Sequence, residues 1–245
     1  MKRIFSGNRI GLKHAVMALS FVLLLAACSK FDNDDNNSGT PVSGLMAFNL
    51  VPDKDAIVIS LNGNNLTPTP LNYTSFTGTY QRVFAGNRQI ESYEINSDST
   101  LATSGFAFEP DKFYSLFVTG ANGEYRNIIV RDNVDSLSAE SGKAYLRYIN
   151  AIPDSTKPTI TITAGGGEIF NSEAGYSTVS EFAEANPGQV SIAVKNNSTI
   201  NADRTISLEQ GKVYTILLLG LPEASDTTRK VQIRYIENGS LSPNQ

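Results

Sequence analysis

MAFNLVPD at 46–53 returns as RYINAIPD at 147–154, an offset of 101 residues. Tyr80 and Gly86 of YQRVFAG answer Phe182 and Gly188 of FAEANPG at 102. DKFYSLFVTG, with Tyr114 and Gly120, answers GKVYTILLLG, with Tyr214 and Gly220, at 100. An offset held this steady over three separated segments marks a duplicated structural unit and narrows the chain to two copies of one fold. The copies run over 45–134 and 144–239, joined by the polar stretch DSLSAESGK at 135–143 and followed by a tail at 240–245. Each copy is of ordinary domain size and can bury its own core.

Within each copy the pattern is that of strands. Ile57, Val58, Ile59 and Leu61 form an apolar run with alternation, Ile160 and Ile162 sit between threonines, and Val190, Ile192 and Val194 alternate with Ser191 and Ala193. The runs at 113–118 and 213–219 are apolar but for Ser115 and Thr215, as expected of a strand in the middle of a sandwich. Turn signals recur every 8–12 residues, among them Asn62-Gly63, Asn122-Gly123, Gly165 to Gly167, Pro187-Gly188 and Asn238-Gly239. No amphipathic helix is evident after residue 44. Seven or so short strands per copy predict an all-β protein of two tandem immunoglobulin-like β-sandwich domains.

The order of these signals resembles a known family, the domain of unknown function 4397. Its pattern is an R-x-x-N/H-A-x-P-D opening, Y-x-x-x-S-x-Y/F, a proline- or alanine-glycine turn, and a closing G-K-x-Y-T-x-x-x-x-G. The second copy matches through Arg147, Asn150, Pro153, Asp154, Tyr176, Ser180, Phe182, Gly188, Gly211, Tyr214 and Gly220. The first departs at Met46, where the arginine should be, and carries Asp111 where the second has Gly211. The resemblance implies a β-sandwich in a bacterial surface setting and supplies no activity, cofactor or functional residue.

The N-terminus reads as an address. Residues 1–14 carry four basic side chains and no acid, and 15–27, AVMALSFVLLLAA, are apolar except for Ser20. Thirteen residues as a helix span about 20 Å, short of the ~30 Å hydrocarbon core, so 1–27 is a signal peptide and not a membrane span. It ends Leu25-Ala26-Ala27-Cys28, which resembles the bacterial lipobox. That resemblance implies cleavage before Cys28 and a diacylglyceryl thioether, with further acylation such as palmitate on the new amino terminus. At ~0.8 kcal/mol per buried methylene, two or three chains anchor a protein on a membrane. The stretch 28–44, rich in Asn, Asp, Ser and Gly, cannot bury enough apolar surface to order itself and reads as a lipidated flexible tether. Its acids, starting at Asp32, resemble the surface-export signals of Bacteroidetes lipoproteins. A calcium loop over Asp32, Asp34 and Asn36 would need Gly at 37 and Glu at 43, where Asn37 and Ser43 stand.

Cleavage removes Lys2, Arg3, Arg9, Lys13 and His14, so the mature chain has 16 basic against 24 acidic residues, a net charge of −8, and no histidine. Its one cysteine is Cys28. Histidine-dependent nucleophilic sites, His- or Cys-ligated metals and haem are thereby excluded, and an acidic chain without a basic patch is not a nucleic-acid binder. No cofactor is expected. Pro52-Asp53 and Pro153-Asp154 recur at equivalent positions and suit a turn cap better than a catalytic acid. Carboxylate chemistry would need two convergent acids ~5–10 Å apart, and no motif supplies them. Tyr73, Tyr125 and Tyr176, near loop or strand ends, could stack on sugars, although tyrosines at the edge of a core are the commoner case. Ser99, Ser136, Ser155 and Thr227 each follow an aspartate in a pattern that resembles the Bacteroidetes O-glycosylation motif, and they compete with a plain reading as turn dipeptides.

The sequence therefore points to an outer-membrane, surface-exposed lipoprotein that serves as a non-catalytic binding, adhesion or scaffold module, with the membrane as one partner and a glycan or protein as the other. The alternative is a glycan-capture lipoprotein serving an outer-membrane uptake system. A carboxylate-based hydrolase ranks third.

Overall fold

The computed structural model describes residues 39–241 apart from Asn96 and Asp98. The expected signal peptide, Cys28 and the expected tether as far as residue 38 lie outside the described residues. The first copy contributes β1 (Val42–Leu50), β2 (Ala56–Leu61), β3 (Asn64–Asn65), β4 (Leu71–Asn72), β5 (Gln81–Phe84), β6 (Gly86–Glu94), β7 (Thr100–Phe108), β8 (Phe113–Ala121) and β9 (Glu124–Arg131). The second contributes β10 (Ala144–Asn150), β11 (Thr159–Ala164), β12 (Gly167–Glu173), β13 (Ala183–Ala185), β14 (Gly188–Lys195), β15 (Asn201–Leu208), β16 (Lys212–Leu219) and β17 (Gln232–Ser240). Among the described residues the helical turns are two three-residue 3₁₀ segments in the linker, Val134–Ser136 and Ala139–Ser141. Val42 to Gly44, expected in the tether, already pair with Phe84 to Arg82 and belong to the first sheet.

The strands form four sheets. In order these are β5-β1-β8-β9 and β3-β2-β6-β7 for the first copy, and β13-β10-β16-β17 and β12-β11-β14-β15 for the second, with β4 also on β2. β1 runs parallel to β8 over seven residue pairs, Gly44↔Phe113 to Leu50↔Thr119, and β10 runs parallel to β16 in the same way. The all-β, two-sandwich architecture read from the sequence is the one observed.

The continuous apolar runs have a cause that a single sandwich does not supply. Side chains alternate across a strand. From β1, Leu45 and Ala47 enter the first copy's own core, with Ile57, Ile59, Ile90, Tyr114, Leu116 and Val118. Met46, Phe48 and Leu50 point the other way, into a third core shared with Ile149, Ala151, Leu217, Leu219 and Ile236 of the second copy. The other face of β10 and β16 closes the second sandwich through Leu146, Tyr148, Ile216 and Leu218. The two inner sheets thus pack on each other as well as on their own outer sheets, in four layers. Strands covered on both faces must be apolar on both faces. Burying nine apolar side chains between the copies contributes on the order of 15 kcal/mol gross, which makes the interface hydrophobic enough to hold the copies as one body.

Strand direction sorts the loops into two ends. β1, β6, β8, β10, β14 and β16 run away from the end where the chain enters β1, which we call the base. The opposite end, the tip, gathers the loops at 51–55, 122–123, 151–158, 196–200 and 220–231, together with Ile95, Ser97 and Ser99. The linker lies at the base. The copies stand side by side with their tips together, since Arg229 of the second tip loop donates to Pro52 O at 2.9 Å and pairs with Asp55 of the first.

Candidate functional site

Polar side chains buried in the core between the copies form one connected network. Arg147, on β10, is 2 % exposed, and the Asp132 carboxylate, just after β9, is fully buried. Arg147 Nη1 donates to Asp132 Oδ1 at 2.6 Å, Nη2 to Ser115 Oγ at 2.7 Å, and Nε to Thr215 Oγ1 at 3.1 Å. Ser115 and Tyr80 hydroxyls both donate to Asp132 Oδ2, at 2.7 and 2.6 Å, and Thr215 Oγ1 donates to Asn238 Oδ1 at 2.7 Å. The guanidinium lies 4.4 Å from the Phe182 ring centre. Burial, then the Asp132 charge, push the Tyr80 hydroxyl well above its ordinary pKa. Every polar group here has a partner, which is the condition for burying charge without a large penalty.

The network joins equivalent positions of the two copies. Met46 answers Arg147, Tyr80 answers Phe182, Ser115 answers Thr215, and Asp132 answers the bulge at Asn238. The first copy brings the anion and the second the cation. Met46 sulfur lies 3.9 Å from the Asn238 amide, so the apolar half of the motif faces the neutral half of the network.

The remaining motif residues build the fold, in the same way twice. Asn49 and Asn150 amides donate to Leu71 O and Ala174 O at 2.9 Å, while their oxygens accept from the amides of Val51 and Ile152. Tyr114 and Tyr214 hydroxyls accept from the amides of Glu109 and Glu209 at 3.0 and 3.1 Å. At Gly120 and Gly220, φ is +123° and +108°, and a Cβ would lie 2.1 Å from the carbonyl oxygen of Glu124 on β9 and 2.2 Å from that of Lys230, just before β17. Asp111 and Gly211 share a left-handed φ, +58° and +72°, which aspartate tolerates better than most residues.

Asp154 caps its own turn, as expected, accepting from Thr156 N at 2.7 Å, whereas Asp53 ties its turn to the neighbouring hairpin, accepting from Asn122 N at 2.9 Å and Tyr125 OH at 2.7 Å. The three tyrosines considered for sugar stacking are engaged elsewhere. Arg229 covers Tyr73 at 4.8 Å and Arg126 covers Tyr176 at 5.3 Å, each across the junction of the copies. Tyr176 OH also shares a hydrogen bond with Thr119. Tyr125 is tied to Asp53 under Lys54, and burial, with the Asp53 hydrogen bond second, raises its pKa. These rings are spent within the protein. Ser99, Ser136, Ser155 and Thr227 are all exposed, the first, third and fourth at the tip and Ser136 in the linker. Cys28 lies outside the described residues.

Two shallow depressions lie on the outer sheets at equivalent positions. One, of about 530 Å³, is lined by residues of β6 and β7, including Asn87, Gln89, Thr103 and Gly105, and none of its lining residues is a carboxylate. The other, of about 170 Å³ over β11, β14 and β15, has Asp203 as its one carboxylate. Neither supplies a pair of acids. Among the described residues no group of three His, Cys, Asp or Glu side chains could hold a metal ion.

The model of a family described as Domain of unknown function (DUF4397) matches residues 43–157 and 144–244. The chain belongs to the DUF4397 family. Its arginine motif position is the one that, in this tandem DUF4397 protein, reaches across to the other copy. A comparison with curated proteins finds no match. Among solved structures, a candidate cell adhesion protein from Bacteroides eggerthii is 9 % identical over 82 % of this chain and 96 % of its own, with a TM-score of 0.26. A family 26 carbohydrate-binding module from Eubacterium rectale, in complex with maltoheptaose, is 10 % identical over 83 % and 98 %, with a TM-score of 0.23. A candidate cell adhesion protein from Bacteroides uniformis is 11 % identical over 82 % and 100 %, at 0.20.

Proposed function

We propose that this tandem DUF4397 protein is a lipid-anchored module of the outer membrane, exposed on the cell surface, that binds, adheres or scaffolds without catalysing a reaction. The observation that carries the reading is the use made of the recurrent motif residues. Asparagine, tyrosine, glycine and aspartate hold each copy together, and arginine joins the copies, so the repeated chemistry of the chain is spent on rigidity. Rigidity suits a display module, whose work is to hold surface loops in fixed relation.

Lipidation of Cys28 supplies the anchor in this reading, and the tether up to Val42 supplies the reach. Because β1 starts at the base, an anchor there turns the tip loops away from the membrane. Ser99, Ser155 and Thr227 would then carry glycans on the distal end and Ser136 on the linker. An intact mass of the native protein equal to the lipidated polypeptide alone would remove the glycan part of the proposal. The anchor itself is tested by replacing Cys28 with Ser, which should leave the chain uncleaved or soluble. Unchanged membrane fractionation of that variant would overturn the lipoprotein reading.

A further inference from the structure

We propose that the parallel β1–β8 pair is a mechanical clamp that keeps the first copy folded when its tip is pulled away from the tether. The inference rests on the anchored reading for which end carries the load. A tether at the base enters the fold through β1, and whatever the tip holds pulls in the opposite direction. The whole length of β1 lies between those two points.

Three features of β1 suit it to that task. Of its nine residues, eight are buried, with one core on either face, so water has no route to its backbone hydrogen bonds. It is an interior strand, paired with β5 over four residues and with β8 over seven. Its parallel register with β8 puts the tether at the start of one strand and the tip hairpin at the end of the other. A pull between those points shears the pairs together, whereas a pull between two points at the base peels them one at a time. Each backbone bond is worth only ~1 kcal/mol net, so resistance comes from breaking many in one step. Where the tether enters, the Phe113 ring lies so close over Gly44 that a Cβ there would meet it at 2.5 Å, which braces the register at the loaded end.

The test is pulling direction. Cys28 is the one native thiol and serves as the first handle on the chain from residue 28 onward. A second handle goes at the tip by Glu124→Cys or at the base by Glu109→Cys, both exposed positions. Matching urea midpoints for the two variants establish equal folds before pulling. At one loading rate, rupture force through residue 124 is expected to be about threefold that through residue 109, since forced unfolding follows the barrier along the pulled direction. Equal forces, or a higher force through 109, would overturn the clamp. The measurement is made on soluble protein, so its failure leaves the anchor to the Cys28→Ser fractionation, and failure of the anchor leaves the anisotropy standing.

Discussion

Arg147 and Asp132 are fifteen residues apart in the chain, on opposite sides of the linker, and they meet at 2.6 Å in the middle of the interface between the two copies. The pair closes the loop that contains the linker and fixes the copies face to face. Beyond its hydrogen-bonded partners the core is apolar, with Phe117, Leu217 and Met46, so the pair sets the register of an interface that hydrophobic burial drives.

Removing one member strands the other. Asp132→Asn is expected to lower stability by about 3–5 kcal/mol, because the buried guanidinium loses its counter-charge. Arg147→Met installs the residue that the first copy carries at this position, and leaves Asp132 with its two hydroxyl donors. The double variant should cost less than the sum of the singles by ~2 kcal/mol or more, a coupling that urea denaturation of the four proteins measures. Additive losses would mean that the contact is incidental.

The Tyr80 hydroxyl gives the fold a signature at high pH. Its folded pKa is raised well above 10.0, chiefly by burial, so the folded state holds this proton after the unfolded chain has released it. The contribution is complete below pH 10 and is lost as pH rises from there towards the folded value. Over that window stability should fall by up to ~1.4 kcal/mol per pH unit for this group. Tyr80→Phe should be less stable at pH 7, through the lost bond to Asp132, yet show a shallower alkaline decline. Parallel curves for wild type and Tyr80→Phe would contradict the assignment.

Glycine is required at one pair of equivalent positions and optional at another. Gly120→Ala and Gly220→Ala should each cost about 3 kcal/mol or more, since a Cβ would overlap the facing backbone at a φ that alanine resists. Asp111→Gly should change stability by less than ~1 kcal/mol, because relief at the left-handed φ is offset by the freer unfolded chain. Thermal melts of the three variants distinguish these outcomes.

Much of the fold was legible because it is local. The offset of Tyr114 and Tyr214, the Asn-Gly turns and the alternation of Val190, Ile192 and Val194 all express short-range rules, and the strands fall where those rules put them. The interface was not legible, because it is a long-range fact. The run Tyr114 to Val118, interrupted only by Ser115, fits the middle of one sandwich as well as a strand shared by two cores. Arg147 in AYLRYIN offered the one clue, a charge inside an otherwise buried strand, but its partner follows β9, outside the repeated motif. The partners of Tyr73 and Tyr176 were hidden for the same reason: each ring lies near the end of a strand, and each is covered by an arginine from the other copy.

Arg147 and Asp132 lock the two homologous sandwiches into one rigid body, and native-state hydrogen exchange on the wild type and on Asp132→Asn reads that coupling. Amides of β1 and β8 in the first copy and β10 and β16 in the second should open with a common free energy, and the substitution should lower both sets by the same amount. Protection that falls in one copy while the other keeps its wild-type value would show two independent domains and contradict the account.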